Sequence, residues 1–181
     1  MIDLCCGLGG ASEAARQRGW RVQTLDITTY VKPQIVGDLR SLPLRRGLAP
    51  DLLWISPCCK QYTRARLPWG PRIVPDNDLM RAAVMAVEWL KPRLWVIENV
   101  PGSVRWVQDF MGAPTQRTWA HVFWSNFATL LPQVRPHKRR ISSNCKFTHY
   151  RRSLIPYEVA HAFTTAAEGI CANGSSRDEE A

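Results

Sequence analysis

What the chain lacks narrows it first. It has no apolar run approaching the ~20 residues that a helix needs to cross a bilayer, and its 11 Gly and 13 Pro form no repeat or low-complexity stretch. The start of the sequence has neither the basic opening nor the long apolar stretch of a secretory signal, so a cytoplasmic protein is expected. Acid is scarce: 15 Asp+Glu stand against 24 Lys+Arg, a formal charge of +9. Such an excess favours a polyanionic partner, because Lys and Arg gain by displacing phosphate counterions, although charge alone leaves a basic solvated surface open. Zinc-type spacing is missing too. Of the six cysteines, Cys5-Cys6 and Cys58-Cys59 are sequence neighbours, while Cys145 and Cys171 are isolated. Zinc sites space their paired ligands by two or more residues, so neither a metal nor a disulfide is expected. What remains is ordinary for a globular domain: 181 residues, 45% hydrophobic and 22% charged, enough for one sizeable core and too little for two.

Short apolar runs alternate with helical patterns, which predicts βαβ units and a mainly parallel sheet with helices on both faces. Met1–Leu4, Arg21–Leu25, Asp51–Ile55, Leu94–Ile97 and His121–Phe127 read as strands. Helices are predicted over Ala11–Arg18, over Asp76–Leu90 with its apolar face at Leu79, Ala83, Ala86, Val87 and Leu90, and over Ile155–Ala167. Residues 1–171 then form one domain, and Ala172–Ala181, small and polar, a frayed tail.

The residues capable of chemistry share one place in this pattern. Gly7–Gly10, Asp26, Ser56–Cys59 and Glu98–Asn99 each follow the C-terminal end of a predicted strand, the edge at which open α/β sheets bind ligands. Glycines after a first strand let the backbone approach a ligand, and the following helix offers free N–H groups. A carboxylate at the end of the second strand, Asp26, can accept from ribose hydroxyls, so a nucleoside-containing cofactor fits; a capping Asp and a plain tight turn fit equally well. A cysteine in a strand-to-loop turn with Lys60, Arg64 and Arg66 close by in sequence is a candidate thiolate, against the ordinary alternative of a buried pair. A buried Glu98 would have a raised pKa and act as an acid, or hold an amino group.

Together these segments resemble the cytosine-C5 DNA methyltransferase family. Asp3-Leu4-Cys5-Cys6-Gly7-Leu8-Gly9-Gly10 is similar to its opening D-L-F-x-G-x-G-G, with Cys5 in the place of Phe. Ser56-Pro57-Cys58-Cys59 is similar to the catalytic S-P-P-C, with Cys58 in the place of the second Pro, and Glu98-Asn99-Val100 matches E-N-V. Gly37-Asp38-Leu39 resembles the short motif that contacts the adenine of S-adenosylmethionine. Order and spacing agree from Met1 to about Gly102.

The resemblance implies a Rossmann-like S-adenosylmethionine-dependent fold and methyl transfer to C5 of cytosine in DNA through a Cys59 thiolate adduct at C6. Glu98 would bind N3 and the exocyclic amine, with Asn99 supporting its loop. The cofactor residues implied are Asp3, Cys6, Gly7, Leu8, Gly9, Gly10, Asp26, Ile27, Asp38, Leu39 and Pro57. An arginine of the family polarises the cytosine O2; the partial match Gln116-Arg117-Thr118-Trp119-Ala120-His121 offers Arg117 or His121.

Between His121 and Ile155 the chain is too short for the family's target-recognition region. This compact form resembles methyltransferase-like proteins of bacteriophages and mobile elements, which implies a bacterial or phage-infected host cell. The stretch holds Arg135, Lys138, Arg139 and Arg140. With Lys60, Arg64 and Arg66, and with Trp106, Trp119 and Trp124 near in sequence, these are candidates for tracking a phosphate backbone. The expected partner is duplex DNA with a flipped cytosine, with RNA or a deoxycytidine nucleotide as alternatives. A homo-oligomer, or an inactive accessory chain working through a partner, is a further alternative. Ile155-Pro156-Tyr157 stands where the family's last motif folds back onto the cofactor.

Overall fold

A computed structural model describes residues 1–63, 74–133 and 154–175. Seven strands form one sheet: β1 (Ile2–Leu4), β2 (Gln23–Asp26), β3 (Ile35–Val36), β4 (Leu52–Ile55), β5 (Leu94–Asn99), β6 (Gln116–Arg117) and β7 (Val122–Ser125). Their spatial order is β3-β2-β1-β4-β5-β7-β6. The first five run parallel, β7 runs antiparallel to β5, and β6 antiparallel to β7. Among the described residues four helices cover the sheet: α1 (Gly10–Gln17), α2 (Asp78–Leu90), α3 (Val104–Met111) and α4 (Tyr157–Ser175). This is the expected Rossmann-like α/β architecture.

The central strands are apolar on both faces because both faces are covered. Alternate residues of each strand feed two separate cores. Leu4, Leu53, Ile55, Ile97, Val122 and Trp124 pack with α2 and α3. Leu52, Trp54, Val96 and Phe123 pack with Ala11, Ala14 and Ala15 of α1 and with Val159, Ala160, Phe163 and Ala167 of α4. Small residues on α1 let it lie close to the sheet and to α4, and the Arg18–Glu168 ion pair with Trp20 Nε1–H to Glu168 at 2.7 Å clips the two helices together. Among the described residues no helix is long and apolar enough to cross a membrane.

Several expectations need correction. α4 continues to Ser175, so the first part of the expected tail is helical. The strand expected over His121–Phe127 is confined to Val122–Ser125. β3 and β6 have two residues each, too short to show a period of two, and α3 is hidden behind Pro101-Gly102.

Candidate active site at the carboxyl edge of the sheet

After β1 the chain turns back through β2 and β3 on one side, then crosses to β4 and β5 on the other. The switch point of this topology lies between β1 and β4, where open α/β sheets form their ligand crevice. Leu4 pairs with Ile55 across it, and Ser56 N–H donates to the Leu4 carbonyl at 3.1 Å. The glycine turn and the cysteine loop therefore leave the sheet side by side.

On the β1 side, Cys5, Gly7 and Gly9 take positive φ values of 57°, 51° and 77°, a coil that glycine adopts without strain and cysteine does not. Gly7 N–H donates to Asp26 Oδ2 at 3.0 Å and Thr28 N–H donates to Oδ1 at 2.8 Å. Two bonds leave the carboxylate further acceptor capacity. The Asp3 carboxylate accepts from Ser12 Oγ, and its buried Oδ1 has no partner among the described residues. Burial pushes the Asp3 carboxyl up to about 7 against the pull of the Ser12 hydrogen bond. Burial, reinforced by Asp3, likewise pushes the Cys6 thiol up to about 12. The Ile155 segment closes this side: a Cβ on Gly10 would sit 2.9 Å from Ile155 N. Leu8 and Ile27 are exposed at the rim.

Asp38 and Leu39 are placed differently from the rest. Asp38 accepts from Arg40 N–H at 2.9 Å and pairs with the Arg40 guanidinium, while Leu39 is buried in the α2-side core.

On the β4 side, Pro57 is buried, Cys58 exposed, Cys59 half-buried and Lys60 exposed. Tyr62 N–H donates to the Cys59 carbonyl at 2.9 Å, and Tyr62 OH reaches Asn77 Oδ1 at 2.8 Å. From β5, the Asn99 amide donates to the Pro57 carbonyl at 3.1 Å and Val100 N–H donates to Asn99 Oδ1 at 2.9 Å. The two loops touch so closely at Gly102 that a Cβ there would fall 2.2 Å from the Tyr62 carbonyl oxygen. Only glycine fits, a constraint no isolated E-N-V-P-G run announces.

Glu98 is buried beside Ser56, and burial raises its carboxyl to about 8 despite the Ser56 hydrogen bond. Burial, then the nearby Glu98 charge, pushes the Cys59 thiol up to about 11. This reverses the sign expected from the neighbouring cations, of which Lys60 contributes only a small opposing pull. Burial thus disfavours the charged form of both groups, the Cys59 thiolate and the Glu98 carboxylate.

Arg117 is exposed at the end of β6, level with Asn99 in the register but with β7 between them, about 10 Å away by strand spacing. His121 is buried, and its Nδ1 makes no hydrogen bond among the described residues. Burial holds its imidazole neutral by lowering the pKa to about 4. Of the tryptophans considered, Trp124 is buried in the core and Trp119 is exposed. Arg64, Arg66, Arg135, Lys138, Arg139 and Arg140 lie outside the described residues. Among those described, no group of three or more His, Cys, Asp or Glu is placed to hold a metal ion.

Fold and edge together define a Rossmann-like protein with its polar groups gathered at the switch point. No family model matches the chain, and no curated protein matches it. Similar solved structures include a prophage-encoded E. coli protein described as a DNA modification methyltransferase (17% identity, 68% of this chain, 44% of that one, TM-score 0.43). They also include the Dnmt2 methyltransferase of S. pombe (19% identity, 57% of this chain, 37% of that one, TM-score 0.38). A third is an S-adenosylmethionine-dependent methyltransferase of Clostridium acetobutylicum (15% identity, 61% of this chain, 45% of that one, TM-score 0.39). The chain spans less than half the length of each of these three.

Proposed function

We propose that the protein transfers a methyl group from S-adenosylmethionine to C5 of cytosine in DNA, with Cys59 as nucleophile. The observation that carries this reading is the convergence of Cys59, in the loop after β4, and the buried Glu98, on the neighbouring β5, at the carboxyl edge across the switch point from the Gly7–Asp26 turn.

The crevice fits the cofactor by its donor set. In a protein of net charge +9, the carboxylates of Asp3 and Asp26 gather at one edge. They favour a cationic sulfonium and ammonium. Asp26 keeps acceptor capacity for a ribose diol, and Gly7–Gly10 bring backbone close to the ligand. Asp3, Cys6, Leu8, Ile27 and Pro57 line the same edge. Asp38 and Leu39 are engaged elsewhere and are left out of this set. When bound, S-adenosylmethionine supplies an electrophilic methyl group.

The remaining work belongs to the chain. Cytosine C5 is a weak nucleophile until a thiolate adds at C6. The Cys59 thiol gives its proton to solvent as the sulfur bonds to C6, and Glu98 in its acid form donates to N3, which places electron density on C5. After methylation solvent water takes the C5 proton, that electron pair restores the C5–C6 double bond as the C6–S bond breaks, the released thiolate regains a proton from solvent, and N3 returns its proton to Glu98. Asn99 holds the cysteine loop against β5 throughout. For the cytosine O2, His121 is favoured over Arg117, because a buried ring nitrogen without a partner lies at the same edge while Arg117 points into solvent.

Radiolabelled methyl transfer to duplex DNA, single-stranded DNA, transfer RNA and dCMP, with wild type and Cys59→Ala, tests the proposal. Label recovered as 5-methylcytosine in DNA and lost in the variant supports it. Label in RNA or dCMP keeps the chemistry and changes the substrate; no label in any of them rejects the reading.

A further inference from the structure

A buried indole must find an acceptor for its one N–H, and that nitrogen can only donate. Trp54 on β4 is 1% exposed, and its Nε1–H donates to Ser56 Oγ at 3.0 Å. The acceptor is therefore a side-chain hydroxyl at the start of the cysteine loop, not a backbone carbonyl. Residues two apart on an extended chain share a face, which puts Ser56 on the same side of the sheet as Trp54. Trp54 pairs with Val96 and Ile55 with Ile97, so the parallel register brings Ser56 level with Glu98, and the hydroxyl hydrogen-bonds the Glu98 carboxyl.

The first member of this chain fixes its direction. The indole occupies a lone pair of Ser56 Oγ, and the hydroxyl proton is left to be given to the carboxyl beside it. The ring is held on two sides. Phe123 of β7, which pairs with Glu98 in the register, meets it edge-on with centroids 6.2 Å apart. Phe163 of α4 meets it edge-on at 5.3 Å. Ser56 is anchored in turn by its N–H bond to the Leu4 carbonyl at 3.1 Å. Ring packing asks only for an aromatic side chain at position 54; the N–H is the part that packing does not use. Titratable neighbours of Glu98 are Cys59, whose thiol responds to the Glu98 charge, and His121, whose buried ring meets Phe123 edge-on.

We propose that Trp54 and Ser56 are positioning residues for Glu98: the indole N–H orients the Ser56 hydroxyl, and that hydroxyl fixes the direction in which Glu98 presents its carboxyl to the target base. The inference rests on the cytosine reading above and adds two residues that act through Glu98. Because Ser56 opens the loop that carries Cys59, the same hydroxyl ties the acid to the nucleophile's own segment.

Wild type, Ser56→Ala, Trp54→Phe and the double variant are compared, with urea unfolding as the folding control. The first readout is the proton resonance of the Trp54 indole N–H, followed by NMR across the titration of a carbon-13-labelled Glu98 carboxyl. In wild type the indole resonance should move with the midpoint of Glu98, and in Ser56→Ala it should stay flat. The Glu98 midpoint should itself rise in Ser56→Ala, because a donor to the carboxylate is gone. The second readout is methyl transfer. Ser56→Ala should lose roughly five- to tenfold in kcat, the worth of one hydrogen bond. Trp54→Phe should lose less, and the double variant no more than Ser56→Ala, since both act through one chain. An indole resonance indifferent to Glu98, an unmoved Glu98 midpoint in Ser56→Ala, or additive losses in the double variant overturns the proposal. Wild type and Ser56→Ala decide it by NMR even where Trp54→Phe fails to fold. Absence of methyl transfer by wild type rejects the cytosine reading, and the coupling of the indole to Glu98 then decides the positioning chain separately.

Discussion

The Asn99 side-chain amide donates to the Pro57 carbonyl at 3.1 Å, and through it the end of β5 fixes the start of the cysteine loop. The same amide touches Met80 Sδ at 3.3 Å, and Oδ1 accepts from Val100 N–H. Asn99 is fully buried, so nothing replaces these bonds. Asn99→Ala should destabilise the fold by roughly 1–3 kcal/mol for each buried group left unpaired. Asn99→Asp keeps the acceptor for Val100 and loses the donor to Pro57. It should fold better than the alanine variant, yet lose roughly 100-fold in kcat through displacement of Cys59. Denaturant unfolding together with methyl-transfer rates checks both; an Asn99→Asp enzyme with wild-type kcat would dissociate the bond from the chemistry.

Two adjacent thiols differ in surroundings. Cys58 is exposed, whereas Cys59 is half-buried beside Glu98. Cys59→Ala should abolish transfer and spare cofactor binding, while Cys58→Ala should stay partly active. The pH profile follows from the two shifted groups. Attack requires ionised Cys59, raised to about 11, and acidic Glu98, raised to about 8. Below pH 8 the product of these two fractions grows roughly tenfold per unit, and between 8 and 11 the two trends cancel. The kcat/KM should therefore climb to about pH 8 and then flatten. A profile already flat at pH 6 would mean that Cys59 is not held as a thiol.

Stability should fall as pH rises from about 4.5 to 8. The folded Asp3 and Glu98 carboxyls titrate near 7 and 8, above their unfolded values of 3.8 and 4.5, so over this window folding takes up protons. His121 opposes them between 4 and 6.5, where the unfolded ring is charged and the folded one is neutral. The two acids outweigh one histidine, and towards pH 8 the Met1 ammonium, whose pKa burial lowers from its usual 8.0, also opposes them. The integrated loss is on the order of a few kcal/mol. Urea midpoints at pH 5.5 and 8.5 should show it, and Glu98→Gln should flatten the upper part of the curve. Greater stability at pH 8.5 would contradict the burial of these acids.

Much of this site is legible in the amino-acid sequence because strand ends carry its chemistry. Asp26, Ser56 and Glu98 each close an apolar run, so their convergence on one edge follows from the alternation of strands and helices. The sign of the Cys59 shift is not legible there. Sequence shows its cationic neighbours but not the burial and the Glu98 carboxyl that outweigh them. The same holds for Leu39, which a motif assigns to a cofactor and the core claims. Gly102 owes its meaning to a neighbour distant in sequence, Tyr62, which no local pattern encodes.

Asp26 and Asp38 make the cofactor assignment testable, since both are carboxylates at the ends of short strands or just beyond them. Asp26 is held by two backbone N–H groups and keeps acceptor capacity toward the crevice. The Asp38 carboxylate is engaged by Arg40, which lowers its pKa and leaves it committed to its own turn. Asp26→Ala should therefore weaken binding of S-adenosylhomocysteine by roughly 1.5–3 kcal/mol, the worth of charge-assisted hydrogen bonds, about ten- to hundredfold in Kd. Asp38→Ala should change it little. Asp26→Asn separates charge from geometry, because one amide oxygen can still accept from a backbone N–H while the anion is gone. Calorimetric titration of the three variants decides the matter. Equal losses at both positions would place the adenosine across the Asp38 turn, as the sequence motif alone suggests, and unchanged affinity in Asp26→Ala would remove that carboxylate from the site.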